Sequence, residues 1–183
     1  MIIDINFEES LKEARGRAEQ MVLNGLYNRF DASIEKRIDR AEAGCLGEIA
    51  FEEFLKGKRV AFRTDRDDFK NRHADEFDFM VNGYKIDVKV AKTDKPPIDS
   101  WTYGYPQQQI GMEKDFVVVG AVNYQRETVE MYGWIPFREI VKYPLKTVNS
   151  FAGFRYKTPN YEFPWGALNK DFDKLIQFLT EQR

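Results

Sequence analysis

Glu48, Asp78, Asp87 and Lys89 have the types and the spacing to hold a hard cation and act beside it. Three of the four lie on a predicted hairpin. The run Asp-Glu-Phe-Asp-Phe-Met-Val, residues 75–81, is followed by Asn82-Gly83 and then by Tyr-Lys-Ile-Asp-Val-Lys-Val, residues 84–90. An Asn-Gly pair between alternating runs signals a two-residue type I′ turn, because both central residues must take positive φ. Such a turn pairs Val81 with Tyr84, sets Asp78 opposite Asp87 and sets Glu76 opposite Lys89. Directly opposed residues share a face of the sheet, and so do residues two apart. Asp78, Asp87 and Lys89 therefore share one face, while Phe77, Phe79, Ile86, Val88 and Val90 take the other. Like charges across a ladder repel, so something positive is expected between the aspartates, either Lys89 or a bound cation. Two converging carboxylates are suitable hard-oxygen ligands for Mg²⁺ or Mn²⁺. Asp75 is the rival to Asp78, but its odd separation turns it to the other face unless a bulge intervenes. Glu76 reads as an ion-pair partner of Lys89 rather than a ligand.

The elements that must position these groups follow from apolar spacing. Leu11, Ala14, Ala18, Met21 and Val22 give a helical stripe over 7–24. A second helix is predicted over 32–55, with Asp31 as N-cap and Gly57 at its C-terminal end. Glu48 lies within its apolar stripe, among Ala41, Cys45, Phe51 and Leu55, where an acid is costly unless it has a partner. Gly44 and Gly47 each cost a helix roughly 1 kcal/mol against alanine. Close approach of this helix to a sheet explains both features: the glycines let it come near, and Glu48 reaches an ion beside the hairpin. Residues 59–64 read as a strand, and a polar loop over 65–74 contains His73, read as a loop histidine rather than a base. Beyond the hairpin come Pro96 and Pro97, then the aromatic run Trp101, Tyr103 and Tyr105. Residues 107–112 read equally as a short helix or a loop. Strands are predicted over 116–122 and 129–134, a short helix over 136–141 and an amphipathic helix over 168–179. The order predicts an α/β (α+β) fold with a mixed central sheet flanked by helices. We expect a single domain: N-terminal helices over 1–57, a sheet core bearing the site over 58–134, and a C-terminal extension and helix over 135–183.

An aspartate, a short gap and then Asp87-Val88-Lys89 on the next strand resembles the PD-(D/E)xK nuclease superfamily, which also tends to carry a glutamate on a preceding helix. Glu48, within Gly44-Cys45-Leu46-Gly47-Glu48, matches that glutamate. The resemblance covers residues 44–90, and one departure is Phe77 in place of proline before Asp78. It implies a restriction-endonuclease-like core and metal-dependent hydrolysis of DNA phosphodiesters. Asp78, Asp87 and the Val88 carbonyl would hold Mg²⁺ or Mn²⁺, with Glu48 acting through water or on a second ion. Lys89 would stand beside the attacking water. Restriction-, junction-resolving and phage-type endonucleases all fit. One site cuts one strand, so a homodimer is the arrangement a double-strand cutter adopts, and the N-terminal helix is a candidate interface. Some exonuclease branches use a downstream Gln-x-x-x-Tyr, and no tyrosine follows Gln107, Gln108 or Gln109 at that spacing. Candidate nucleic-acid contacts are Lys85, Lys92, Lys95, Trp101, Tyr103, Gln107 and Gln109, whose aromatic members could equally fold onto the core.

Bulk properties narrow the function classes. With 28 Lys+Arg against 30 Asp+Glu the net charge is −2, which argues against a general nucleic-acid coat protein but not against a nuclease. Basic residues do flank the site: Lys56, Lys58, Arg59, Arg63, Arg66, Lys70 and Arg72 before the hairpin, Lys85, Lys92 and Lys95 on or after it. A single histidine makes histidine-based zinc sites untenable, and the single cysteine, Cys45, excludes an internal disulfide or a four-cysteine iron–sulfur cluster. It fits a reducing, cytoplasmic compartment, and Cys45 reads as a packed core thiol. No apolar run approaches membrane-spanning length and no secretory signal is visible, so no membrane partner is expected, nor an organic cofactor. The competing readings are a non-catalytic nucleic-acid-binding module on the same fold and an unrelated α/β protein with a charged hairpin.

Overall fold

The computed structural model describes residues 1–25, 32–65, 77–111 and 114–181. Asp31, Arg66, Lys70, Arg72, His73, Asp75, Glu76 and Met112 lie outside the described residues, and with them the expected Asp31 cap, the Glu76–Lys89 pairing and the Asp75 alternative. Helix α1 (Phe7–Leu23) starts where the Asn6 side chain accepts from the Glu9 N–H at 3.3 Å. Helix α2 (Ile34–Gly57) is capped by Ser33, whose hydroxyl accepts from the Lys36 N–H at 3.3 Å. An N-cap oxygen of this kind satisfies one of the donors that a helix start leaves open. Gly57 is the last helical residue. The left-handed position beyond it is Arg59, at φ +56°.

A five-stranded sheet forms the centre, in the order β1 (Ile2–Ile3), β6 (Thr128–Pro136), β5 (Phe116–Asn123), β3 (Tyr84–Lys92), β2 (Phe79–Val81). It is mixed: β3 and β5 run parallel from Ile86↔Phe116 to Lys92↔Val122, and the other pairings are antiparallel. The hairpin register is the one expected from the sequence, with Val81 on Tyr84, Met80 on Lys85 and Phe79 on Ile86. Asn82 and Gly83 both take positive φ, +47° and +83°, as a type I′ turn requires. The Asn82 amide donates to the Leu179 carbonyl at 2.8 Å and ties the turn to α4 (Phe172–Thr180). The strand expected over 59–64 shrinks to one bridge, Arg63↔Met80, and its first residue, Arg59, takes the left-handed turn that leads the chain out of α2.

A parallel pair needs a crossover, usually a helix. Here the crossover instead carries β4 (Thr102–Pro106) into a second sheet, ordered β4, β8 (Arg155–Pro164), β7 (Leu145–Val148). A turn of 3₁₀ helix over Gln107–Gln109 follows β4, and the short α3 (Phe137–Ile140) follows β6. The central sheet is thus not flanked by helices on both faces. One face meets α2 and α4: Leu46, Ala50, Phe51, Leu55, Leu175 and Leu179 pack with Phe79, Ile86, Val88 and Val118. The other face meets the second sheet, where Tyr105, Phe163 and Trp165 pack with Val117, Val119 and Ala121. The architecture is α+β, with helices over one side and strands over the other. Among the described residues no helix is long and apolar enough to cross a membrane.

Candidate functional site

Alternation along β3 sends Ile86 and Val88 to the helical face and Asp87 and Lys89 toward the second sheet. Asp87 is 4% exposed and is held from three sides. The Lys89 ammonium lies 2.7 Å from Oδ2, the Tyr105 hydroxyl donates to the same oxygen at 3.2 Å, and the Lys114 ammonium lies 3.7 Å from Oδ1. Tyr103 and Tyr105 both face the cluster because they are two apart on β4.

Asp78 comes to the cluster by a route that simple pairing did not anticipate. The ladder ends at Phe79, so Asp78 stands just outside β2 and is not an opposed strand partner of Asp87. Its N–H donates to the Ile86 carbonyl at 3.1 Å, and its carboxylate Oδ2 accepts the Val88 N–H at 2.6 Å. A side chain thus takes the backbone donor where the ladder has stopped. The N–H and C=O of one strand residue point to the same edge, so the Val88 carbonyl faces that edge too. The sharing of space between the acids remains. Burial and then the Asp87 charge push the Asp78 carboxyl up to about 6, against the opposing pull of Lys89, the Val88 N–H and Lys114. Burial works against the Lys89 ammonium, but Asp87 and Asp78 prevail and hold it well above the ordinary lysine range. Burial pushes the Tyr103 hydroxyl up to about 12, and burial with the Asp87 charge raises Tyr105 as well.

The fit to a divalent ion can be judged from the donor set. Mg²⁺ is commonly held by one or two carboxylates, with water and substrate phosphate completing six oxygens. Asp78, Asp87 and the Val88 carbonyl offer oxygens of that kind at one edge, and the mutual repulsion of the two acids favours a cation between them. The residues fit such an ion as a partial cage. Glu48 is not gathered into it: among the described residues no three Asp, Glu, His or Cys side chains form a metal-holding group. Helix α2 does come close to β3 at Gly47, one of the two glycines read that way. A Cβ on Gly47 would stand 2.5 Å from Val90 Cγ1. That approach is to the helical face of β3, whereas Asp87 and Lys89 occupy the other.

The remaining candidates are dispersed. Lys85 accompanies β3, its N–H donating to Asp115 Oδ2 at 2.8 Å, and Lys92 lies over the Tyr124 ring at 4.3 Å. Lys95 and Gln107 are exposed, Gln109 is half-buried, and Lys95 closes a small turn with Thr93. Trp101 packs edge-on against Trp165 at 5.4 Å, Tyr103 lies 5.8 Å from its strand partner Phe163, and both are half-buried against the apolar cluster between the sheets. Lys56 pairs with Glu52 and Glu53, and Lys58 with Asp173. Cys45 is a buried thiol beside the Met21 sulfur, as expected of a core position. Sequence reasoning missed Lys114 altogether. A lysine just before a buried strand carries no signal of its own, although the two-residue spacing of Tyr103 and Tyr105 does mark a shared face.

No protein-family model, curated protein or solved structure matches this chain.

Proposed function

We propose that the protein is a metal-dependent nuclease that hydrolyses DNA phosphodiesters, with a restriction-endonuclease-like core and endonucleolytic action. The observation that carries this reading is the convergence of Asp78, Asp87 and Lys89 at the end of one hairpin, with Lys89 Nζ 2.7 Å from Asp87. When bound, a Mg²⁺ or Mn²⁺ ion polarises the scissile phosphate and lowers the pKa of water. Asp78, Asp87 and the Val88 carbonyl would hold the ion, and Glu48 is the remaining carboxylate that the resemblance assigns to it. Lys89 places a fixed positive charge where the phosphate oxygens gain charge in the transition state. Tyr105 orients Asp87 through its hydroxyl. DNA is the substrate, a homodimer cuts both strands, and a reducing, cytoplasmic setting suits the buried Cys45 thiol.

The test is cleavage of supercoiled plasmid, single-stranded DNA and a branched junction with Mg²⁺, Mn²⁺ or EDTA. Metal-dependent cutting is expected, with Lys89→Ala lowering it at least about 10³-fold while sparing most DNA binding. Asp78→Asn should remove metal binding, and Glu48→Gln should weaken it. Equal loss of cutting and binding in Lys89→Ala would count against its role.

One observation favours a second reading, a non-catalytic nucleic-acid-binding module. Asp87 is buried and both its oxygens already face ammonium groups of the same chain. DNA binding without cutting of any substrate, unchanged in Lys89→Ala, would favour it.

A further inference from the structure

Lys114 belongs to the cluster, yet neither the hairpin nor the resemblance supplies it. Resting on the metal-dependent reading above, we propose that Lys114 balances the charge of the two carboxylates, so that a divalent ion enters together with a nucleic-acid phosphate rather than before it.

Among the described residues the two carboxylates, Asp78 and Asp87, face the two ammonium groups of Lys89 and Lys114, so their formal charges cancel. The Lys114 side chain is only 4% exposed, which makes it a fixed part of the site rather than a surface charge brushing past. Its backbone is held as well. The next residue, Asp115, donates its N–H to the Lys85 carbonyl and accepts the Lys85 N–H on its carboxylate, each at 2.8 Å. The Asp115 carbonyl takes the Phe137 N–H at 2.9 Å. Lys114 therefore stands beside Asp87 as a consequence of how β5 begins.

A divalent ion entering a largely buried cluster whose charges, among the described residues, already cancel leaves uncompensated positive charge, which a low-dielectric setting penalises heavily. A phosphodiester brings compensating negative charge to the same place. Ion and phosphate then raise each other's affinity, and by linkage each does so by the same factor. With Lys89 alone the cluster would carry one excess negative charge and would take the ion unaided. Lys114 thus makes ion loading conditional on substrate.

The experiment is calorimetric titration of Mn²⁺ into the full chain, with and without a cleavage-resistant phosphorothioate duplex. It compares wild type, Lys114→Met, Lys114→Arg and Asp78→Asn. Wild type should bind Mn²⁺ weakly alone and at least about tenfold more tightly with the duplex. Lys114→Met should bind Mn²⁺ at least about tenfold more tightly than wild type without the duplex and lose most of the coupling. Lys114→Arg, which keeps the charge, should follow wild type. Thermal unfolding in EDTA and in Mn²⁺ adds an independent readout, because the ion should raise the Tm of Lys114→Met more than that of wild type. Wild type and Lys114→Met binding equally, with Asp78→Asn binding nothing, would overturn the role of Lys114 and leave the metal site standing. Binding by none of the proteins, with or without duplex, would overturn the metal site itself and the role of Lys114 with it.

Discussion

The two faces of the central sheet are built on the same strands and have opposite character. On the helical face, Phe79, Ile86, Val88 and Val118 meet α2 and α4 in an apolar layer, close enough that Gly47 has no room for a side chain. On the other face the middle is equally apolar, with Val117, Val119 and Ala121, but the β2 end carries Asp87, Lys89 and Lys114 under the tyrosines of β4. One residue of alternation along β3 separates a layer that supplies stability from a cluster that costs it. Packed carbon holds the backbone still, and the charged groups behind it can be kept near one another although two of them repel.

The contrast is tested first where the largest change is expected. Phe79→Ala empties a fully buried site on the helical face and should cost about 3–5 kcal/mol in urea unfolding, lowering activity only through the unfolded fraction. A cost below about 1 kcal/mol would show that this face is not the main support. Gly47→Val forces a side chain onto Val90, and overpacking should cost about 1–3 kcal/mol without altering metal affinity in the folded protein. Asp78→Asn should act in the reverse direction. It removes a buried like-charge conflict but keeps an oxygen for the Val88 N–H, so the metal-free protein should gain about 1–2 kcal/mol at pH 8.

The pH dependence sharpens the same point. Asp78 titrates near 6 in the fold against an ordinary 3.8, so the folded chain binds this proton first. Wild type should therefore gain stability relative to Asp78→Asn as pH falls through about 6, the difference levelling off below 3.8. Lys89 carries the opposite sign: held above its ordinary 10.5, it contributes fully below that pH, and its contribution fades as pH rises further. Identical stability profiles for wild type and Asp78→Asn between pH 4 and 8 would remove the conflict from the site.

The hairpin was legible because Asn-Gly fixes a turn and the turn fixes a register, all within a dozen residues. Helices α1 and α2 and strands β5 and β6 were legible for a similar reason, since their apolar periods are long. The second sheet was not. β7 is exposed along its whole length, and β8 carries Pro159, Asn160 and Pro164, so neither shows the alternation by which a strand is recognised. The exit of Asp78 from the ladder also left no trace, because it depends on where pairing stops rather than on residue type. Lys114 was hidden for a broader reason. Its partner lies across a parallel pair whose crossover, a strand of another sheet, has no local signature.

The bond from the Asn82 amide to the Leu179 carbonyl spans 97 positions of the chain. Synthesis proceeds from the N-terminus, so the hairpin leaves the ribosome long before the helix that fastens its tip. A nascent or truncated product ending before Phe172 lacks that fastening and also the Phe172, Leu175 and Leu179 side chains that close the core beneath β2. The tip of the hairpin that carries Asp87 and Lys89 is thus fastened only once α4 has been made.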